Sequence, residues 1–311
     1  MAFLPCVDFS DLGGVRQLQY CVAHHLSGRY IFEVNMEFPT DNLYKFASFN
    51  ENSISALAEQ SVWFSDLNSL NDPFEVSVRY EVPVNQSEKV AQYIEAATID
   101  REKVLNITRA EARDIAESAY KQDPESFCRK FEQAIELVIN EHSKVLNSLN
   151  VFSTSLDLPD ESSHHENMLM WSHYGMGFTG FCLQFSASKF FRSIKELNKE
   201  SKIGYCKVDY VTESHVVNPI KYVPYITEDY FSAMQFKHEQ WRYEGELRFI
   251  SGNCGLHKYS HDALTKVYIG FKMPVSKQKV LIAIIRQYFP EAQIYRAEID
   301  KQSYRVTATK I

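Results

Sequence analysis

Asp123-Pro124-Glu125-Ser126-Phe127, inside the long segment 87–149, is the stretch from which the organisation of the chain can be read. Aspartate before proline makes an N-cap followed by Pro at the first helical position. There the missing N–H costs nothing and the fixed φ suits the helix. From that point Phe127, Phe131, Ile135, Val138 and Leu146 recur at roughly helical spacing. Upstream, Thr108-Arg109-Ala110-Glu111 has the form of a capping box. The whole segment is charged, rich in Ala, Glu and Lys, and almost free of Gly. It predicts about three helices packed as a subdomain.

Outside it the pattern changes to strands. On the N-terminal side are Asn42-Leu43-Tyr44-Lys45-Phe46 and Ser61-Val62-Trp63-Phe64-Ser65, with a helical stretch from Asn50 to Gln60 between them. A turn-rich segment follows, ending in Asn71-Asp72-Pro73-Phe74-Glu75, where Pro73 biases Asp72 toward an extended conformation. On the C-terminal side, strands are expected at Val151–Thr154, Gly180–Phe185, Tyr205–Val211, Glu246–Ser251 and Thr265–Phe271. Two more, at about 293–298 and 303–309, close the chain. Short helices are expected at Asn167–Tyr174 and Ser276–Tyr288. Scattered strands with grouped helices indicate an α+β fold rather than a doubly wound parallel sheet. No Gly-x-Gly-x-x-Gly or Walker-type loop supports the two common nucleotide folds. The expected organisation is an N-terminal extension over 1–40, with a strand-like stretch at Tyr30–Val34. A single α+β domain follows over 41–311, carrying the helical insertion 87–149.

The 311 residues are 45% hydrophobic and 23% charged, enough apolar material to build a core and exclude wholesale disorder. The aromatic share of 14% supplies both buried area and rings that can line a cleft. A formal net charge of -7 repels nucleic acid and anionic membrane, so an anionic ligand would need a local basic pocket. Six cysteines are far apart and none forms a CxxC pair, which disfavours a zinc knuckle or a disulfide framework. Cys182, inside an apolar run, reads as a buried thiol. No leader-like start and no run of about 18 apolar residues is found, so a cytoplasmic location is expected.

Four motifs can carry chemistry. In Trp241-Arg242-Tyr243-Glu244-Gly245-Glu246-Leu247-Arg248, an extended backbone would put Glu244, Glu246 and Arg248 on one face, about 7 Å apart. Such a trio can hold one carboxylate ionised beside the guanidinium and raise the pKa of the other. A carboxylate so placed suits chemistry that develops positive charge on a sugar. The alternative is a solvated face with a surface salt bridge. Met170-Trp171-Ser172-His173-Tyr174 can stack on an aromatic ring or form a core cluster. Asn71 and Asp72 can bind a ligand or simply make a turn. Lys45 can face a phosphate or protect a strand edge. His24-His25 and His164-His165 are adjacent pairs, and neighbours seldom share one metal, so no catalytic metal is expected. Gly-x-Ser-x-Gly is absent, which weakens a serine hydrolase.

In their order along the chain these motifs, joined by Val62-Trp63-Phe64-Ser65, Phe152-Ser153, Gly180-Phe181-Cys182 and Lys237, resemble a family. It is the large bacterial and phage-defence family called domain of unknown function 2971, which includes abortive-infection-like proteins. The resemblance covers roughly residues 43–300. This chain has Ala47 where family members often carry Arg. The layout is more loosely similar to the ADP-ribosyltransferase fold, with its split β-sheet core. That similarity implies Glu246 at the catalytic position and Glu244 two residues before it. It also implies NAD as the substrate. Cleaving the nicotinamide–ribose bond forms an oxocarbenium-like centre, which Glu246 would stabilise while accepting the ribose 2′-hydroxyl. Trp171 or Tyr174 would stack on nicotinamide, and Lys45 with Arg248 or His173 would offset phosphate charge. Tyr44, Asn71, Asp72 and Lys237 complete the expected site. The implied protein is a NAD glycohydrolase or ADP-ribosyltransferase toxin, controlled by a cognate antitoxin or a phage-derived trigger. Two other readings stand beside it. One is a non-enzymatic sensor or partner-binding module; the other is a ribonuclease using His173 and Lys237.

Overall fold

The computed structural model describes residues 40–157, 163–223 and 228–311. The N-terminal extension, with its stretch Tyr30–Val34 and the pair His24-His25, lies outside the described residues, as do Cys6 and Cys21. The strands are β1 (Asn42–Ala47), β2 (Ser61–Asp66), β3 (Val78–Tyr80), β4 (Asn150–Ser155) and β5 (Phe181–Ser186). Then come β6 (Gly204–Lys207), β7 (Asp209–Val211), β8 (His215–Val217), β9 (Phe236–His238) and β10 (Glu246–Ser251). The last are β11 (Gly255–Lys258), β12 (Leu264–Ile269), β13 (Gln293–Asp300) and β14 (Arg305–Lys310). With the helices below, this is the expected α+β class.

The described residues fall into two compact units. One consists of Val76–Asn147 and Glu213–Phe236. It holds the helices Gln86–Leu105, Arg109–Gln122 and Pro124–Asn147. The caps form as the sequence requires: Thr108 and Glu111 make a reciprocal capping box, and the Asp123 carboxylate accepts the Ser126 N–H at 2.9 Å. The first helix ends at Asn106, in the left-handed region at φ 53°. Phe127, Phe131 and Ile135 pack on Tyr93, Ala96 and Ala116, so the helical stripe is the core of this unit. Val138, on the same stripe, is only partly buried. The unit includes more than the expected insertion 87–149. β3 and β8 pair in parallel, Val78 to His215, and bring in a segment more than sixty residues away in sequence. Strands of three residues are too short to show a period.

The other unit contains residues 40–75, Ser148–Thr212 and Lys237–Ile311. Its centre is a ten-stranded sheet, ordered β11-β2-β4-β1-β5-β12-β13-β14, with β10 and β6 joined through β4. Side-chain alternation sorts the two faces. Leu43, Phe64, Phe152, Phe185, Leu247 and Phe249 point to a large core, covered by Leu57, Phe190, Ile194, Leu281 and Ile285. These covering residues come from the helices Glu51–Ala58, Ala187–Leu197 and Val275–Tyr288. Tyr44, Phe46, Cys182 and Tyr268 point to the opposite face and pack with Met170, Trp171 and Phe178. The helix Ala187–Leu197 was not expected from the sequence pattern. The expected strand Tyr205–Val211 is interrupted at Val208, whose N–H bonds to the Glu246 carbonyl.

One feature of this sheet positions the site. β10 occupies one whole edge of β4, from Ser155 to Asn150. The other edge is shared: β1 pairs only at Tyr44 with Ser155, while β2 pairs at Val151 and Asn150. The sheet therefore forks along β4. In the fork the Ser153 carbonyl has no strand partner on that edge, and the Lys45 ammonium donates to it at 2.8 Å.

Among the described residues, Cys128, Cys182, Cys206 and Cys254 form no disulfide. Cys182 is fully buried, and burial pushes its thiol well up. No described helix is long and apolar enough to cross a membrane.

Candidate active site

The fork opens into a cavity of about 220 Å³. Five separate stretches line it: Tyr44–Phe46, Trp63 to Glu75, Val151–Ser155, Met170 with Tyr174, and Lys237 with Glu244 and Glu246. The motifs selected on sequence thus converge. Of the eleven expected site residues, Tyr44, Lys45, Asn71, Asp72, Tyr174, Lys237, Glu244 and Glu246 line the cavity, and Trp171, His173 and Arg248 do not.

The acidic motif reaches the site by a route that corrects the sequence expectation. Residues Glu239–Glu244 are not extended but form 3-10 turns. Gly245 then takes a left-handed conformation, φ 51°, and the strand starts only at Glu246. Strand parity relates Glu246 to Arg248 and says nothing about Glu244. A residue without Cβ penalty at 245 lets the chain reverse so that both glutamates meet one ammonium. Lys237 Nζ lies 2.7 Å from Glu244 Oε2, 3.1 Å from Glu246 Oε2 and 3.8 Å from Glu75 Oε2.

Beneath this layer Arg248 is wholly buried. Its Nε meets Glu246 Oε1 at 2.8 Å, and its Nη2 meets Glu246 Oε2 at 3.3 Å and Glu75 Oε1 at 2.5 Å. The Ser153 hydroxyl donates to Glu246 Oε1 at 2.6 Å. Tyr174 donates its hydroxyl to Glu244 Oε1. The Tyr210 hydroxyl accepts the Glu246 N–H at 2.8 Å. The solvated-face alternative is therefore overturned: Glu244 and Glu246 are buried. Three carboxylates, from Glu75, Glu244 and Glu246, are matched by the charges of Lys45, Lys237 and Arg248. Buried charge survives only when so paired.

The electrostatics follow from this packing. Burial works to raise the Glu246 carboxyl, but Arg248 and Lys237, with hydrogen bonds from Arg248 and Ser153, outweigh it and hold it at about 2. Glu75, also buried, is pushed up by desolvation, against the pull of Arg248 and Lys237. Desolvation pushes Lys45 down, opposed by Glu246 and Glu244. For Lys237 burial also disfavours the charge, yet Glu246, Glu244 and Glu75 together carry it upward. Glu246 therefore contributes stability above its ordinary value of 4.5, which is lost as pH falls toward about 2. The contribution is of order 3 kcal/mol. Glu75, raised, contributes in the opposite sense and blunts the slope. Urea midpoints measured between pH 5 and pH 2 are expected to fall for the native chain and to change less for Glu246→Gln.

Three expected roles need correction. Trp171 does not face the cavity: it is wholly buried, stacked on Phe178 with centroids 5.3 Å apart and edge-on to Phe46 at 5.2 Å. Its indole N–H donates to the His165 carbonyl at 2.7 Å. It is a core residue, because the short helix Met168–His173 turns it inward beneath β1 and β5. Trp171→Ala should cost about 3–5 kcal/mol in denaturant titrations, the range for deleting a buried aromatic. Arg248 and Lys45 are engaged by carboxylates and the Ser153 carbonyl, so neither is a free phosphate partner. His173 is exposed and lies near Tyr243, its Nδ1 3.4 Å from that hydroxyl.

Tyr44 is buried, with its hydroxyl 2.7 Å from Ser163 Oγ and donating to Asp157 at 3.3 Å. Desolvation pushes that phenol up. Asn71 and Asp72 sit on the loop between β2 and β3, where Asp72 Oδ1 accepts the Phe74 N–H at 2.9 Å in an Asx turn. Glu75, Ser153 and Trp63, quoted within motifs but given no site role, and Tyr210 complete the site. Glu75 had a legible signal, an acid closing the Asn71–Glu75 motif. Ser153 had only its place in the Phe152-Ser153 motif, and Tyr210 had none, since a hydroxyl on a strand has no distinguishing pattern. Among the described residues, no group of three or more His, Cys, Asp or Glu side chains could hold a metal ion.

The resemblance read from sequence is met over the segment that supplies Tyr174, Lys237, Glu244 and Glu246. Residues 170–249 match the model of the family described as Protein of unknown function (DUF2971). Neither a curated protein nor a solved structure matches the chain significantly. The segment Met170 to Phe249, which brings two of the cavity's glutamates together around one lysine, is thus the part of the chain that is similar to the DUF2971 family.

Proposed function

We propose that the forked-sheet cavity binds the nicotinamide–ribose end of NAD and cleaves the bond between them. The observation carrying this reading is the pair Glu244 and Glu246, held around Lys237 in a cavity whose lining includes Trp63. An oxocarbenium-like transition state wants a fixed anion within a low-dielectric site. Glu246 answers that need, since its carboxyl stays ionised down to about 2 and its donors hold it in one orientation. The C1′–N bond breaks with its electron pair leaving on neutral nicotinamide. The oxygen of water or of an acceptor group then bonds to C1′, and Glu244 takes the proton released. The fork in the sheet supports the looser likeness to an ADP-ribosyltransferase core.

The cavity's size narrows how NAD would sit. At about 220 Å³ it is smaller than the roughly 300–1,000 Å³ usual for ligand pockets. It suits one ring and its sugar, leaving the pyrophosphate and adenosine at the mouth. An enzyme of this kind endangers its own cell, so we expect a cognate antitoxin or phage-derived trigger to control it.

Purified protein, alone and with cell extract, is expected to release nicotinamide from NAD, followed by chromatography. Cellular NAD should drop after induction. No release under either condition would reject the reading. A second reading, a non-enzymatic sensor or partner-binding module, is favoured by one observation: both oxygens of Glu246 are already bonded within the protein. Equal toxicity, or equal harmlessness, of native protein and a Glu246 variant would favour it.

A further inference from the structure

Asp72 is nine-tenths buried and lines the cavity. Its Oδ1 is used by the Asx turn to Phe74, but its Oδ2, also buried, has no hydrogen-bond partner among the described residues. A buried acceptor without a donor is disfavoured, and the cavity it lines is where a donor can arrive. Trp63 also lines the cavity. Its neighbours Val62 and Phe64 are turned into the core, so alternation leaves the indole about half exposed, at 55%, on the other face of β2. With the buried Arg248 counted, the carboxylates of Asp72, Glu75, Glu244 and Glu246 exceed the cations Lys45, Lys237 and Arg248 by one. Such a cavity repels a carboxylate and favours a flat cationic ring, which the face of a tryptophan also attracts.

We infer that Asp72 and Trp63 form a specificity subsite for a cationic pyridinium carboxamide, with a carboxamide N–H donating to Asp72 Oδ2 and the ring against Trp63. This rests on the proposed function and deepens it: the substrate would be a dinucleotide bearing nicotinamide, and the nicotinic-acid counterpart would be rejected. A site built around a hydrogen bond discriminates strongly against the analogue lacking the donor, because its own polar group is then left unpaired.

The test uses the full chain and two matched probes, 1-methylnicotinamide and 1-methylnicotinate, which share the charged ring and differ in the carboxamide. Titration calorimetry should give at least about tenfold tighter binding of the amide. Asp72→Asn keeps an oxygen for the Phe74 turn and adds an N–H, so it should fold while the preference collapses. Trp63→Ala should weaken the amide while sparing stability, since the ring is exposed. Equal binding of the two probes, an unchanged preference in Asp72→Asn, or no binding of either probe would overturn the inference. A parallel assay compares NAD with nicotinic acid adenine dinucleotide. Equal cleavage of both keeps the proposed function and removes this inference. Selective probe binding without cleavage of NAD keeps the inference and removes the proposed function.

Discussion

Arg248→Met is expected to destabilise the protein by about 3–5 kcal/mol, the range for leaving a buried charge without its partner. The guanidinium is wholly buried and contacts both Glu246 and Glu75. Methionine fills a comparable apolar volume but donates nothing. Two carboxylates would then depend on Lys237, which already serves Glu244 at 2.7 Å. Against a typical total stability of about 5–15 kcal/mol, a loss of that size brings the chain near its folding threshold. Urea denaturation at pH 7 measures it. A second variant separates charge from packing. Glu75→Gln on the Arg248→Met background removes one unpaired carboxylate and should restore part of the loss. A loss below about 1 kcal/mol would mean that the guanidinium is not what holds the two acids.

Glu246→Gln is expected to lower nicotinamide release at least about a hundredfold, the scale of one preorganised electrostatic group. The amide keeps the shape and one acceptor oxygen, so Ser153 and Arg248 retain a partner. What disappears is the negative charge that the proposed reaction requires beside the sugar carbon. Glu244→Gln should also lower release, by about ten- to a hundredfold, the lower part of the range for general acid–base groups. Both variants need a denaturation midpoint beside the rate, because each also removes one charge from the buried network. If Glu246→Gln retains release within a few-fold of the native protein, the carboxylate is structural and the catalytic assignment falls. The Arg248 result then explains the burial of Glu246 without chemistry.

These two variants probe the same cluster from opposite sides. Arg248 sets the charge and orientation of Glu246 from below, and the cavity exposes the consequence above. Lys237 links the cluster, since its ammonium touches Glu244 and Glu246 and approaches Glu75, the third glutamate of the cavity. In a buried network of this kind the loss of one member weakens the others.

Much of the fold follows from local chemistry that the sequence alone carries. The Thr108–Glu111 box, the Asp123-Pro124 start and the Phe127, Phe131, Ile135 stripe specify helices through interactions within a few residues. The alternation in β1 assigns Leu43 to one face and Tyr44 and Phe46 to the other for the same reason. The acidic character and rough location of the site were legible too, since eight expected residues line one cavity. The rest depends on contacts distant along the chain. Trp171 could have faced a ligand or the core, and only the packing of Phe46 and Phe178 around it decided for the core. Glu244 joined Glu246 through a left-handed Gly245, not through strand parity. The fork exists because β1 and β2 divide a single edge of β4 between them. The sequence by itself determined which residues could form helices, strands and an acidic site, because those choices are local. Only the tertiary structure decided that Glu75, Ser153 and Arg248 would enclose Glu246, because pairing a buried charge is a matter of where distant segments meet.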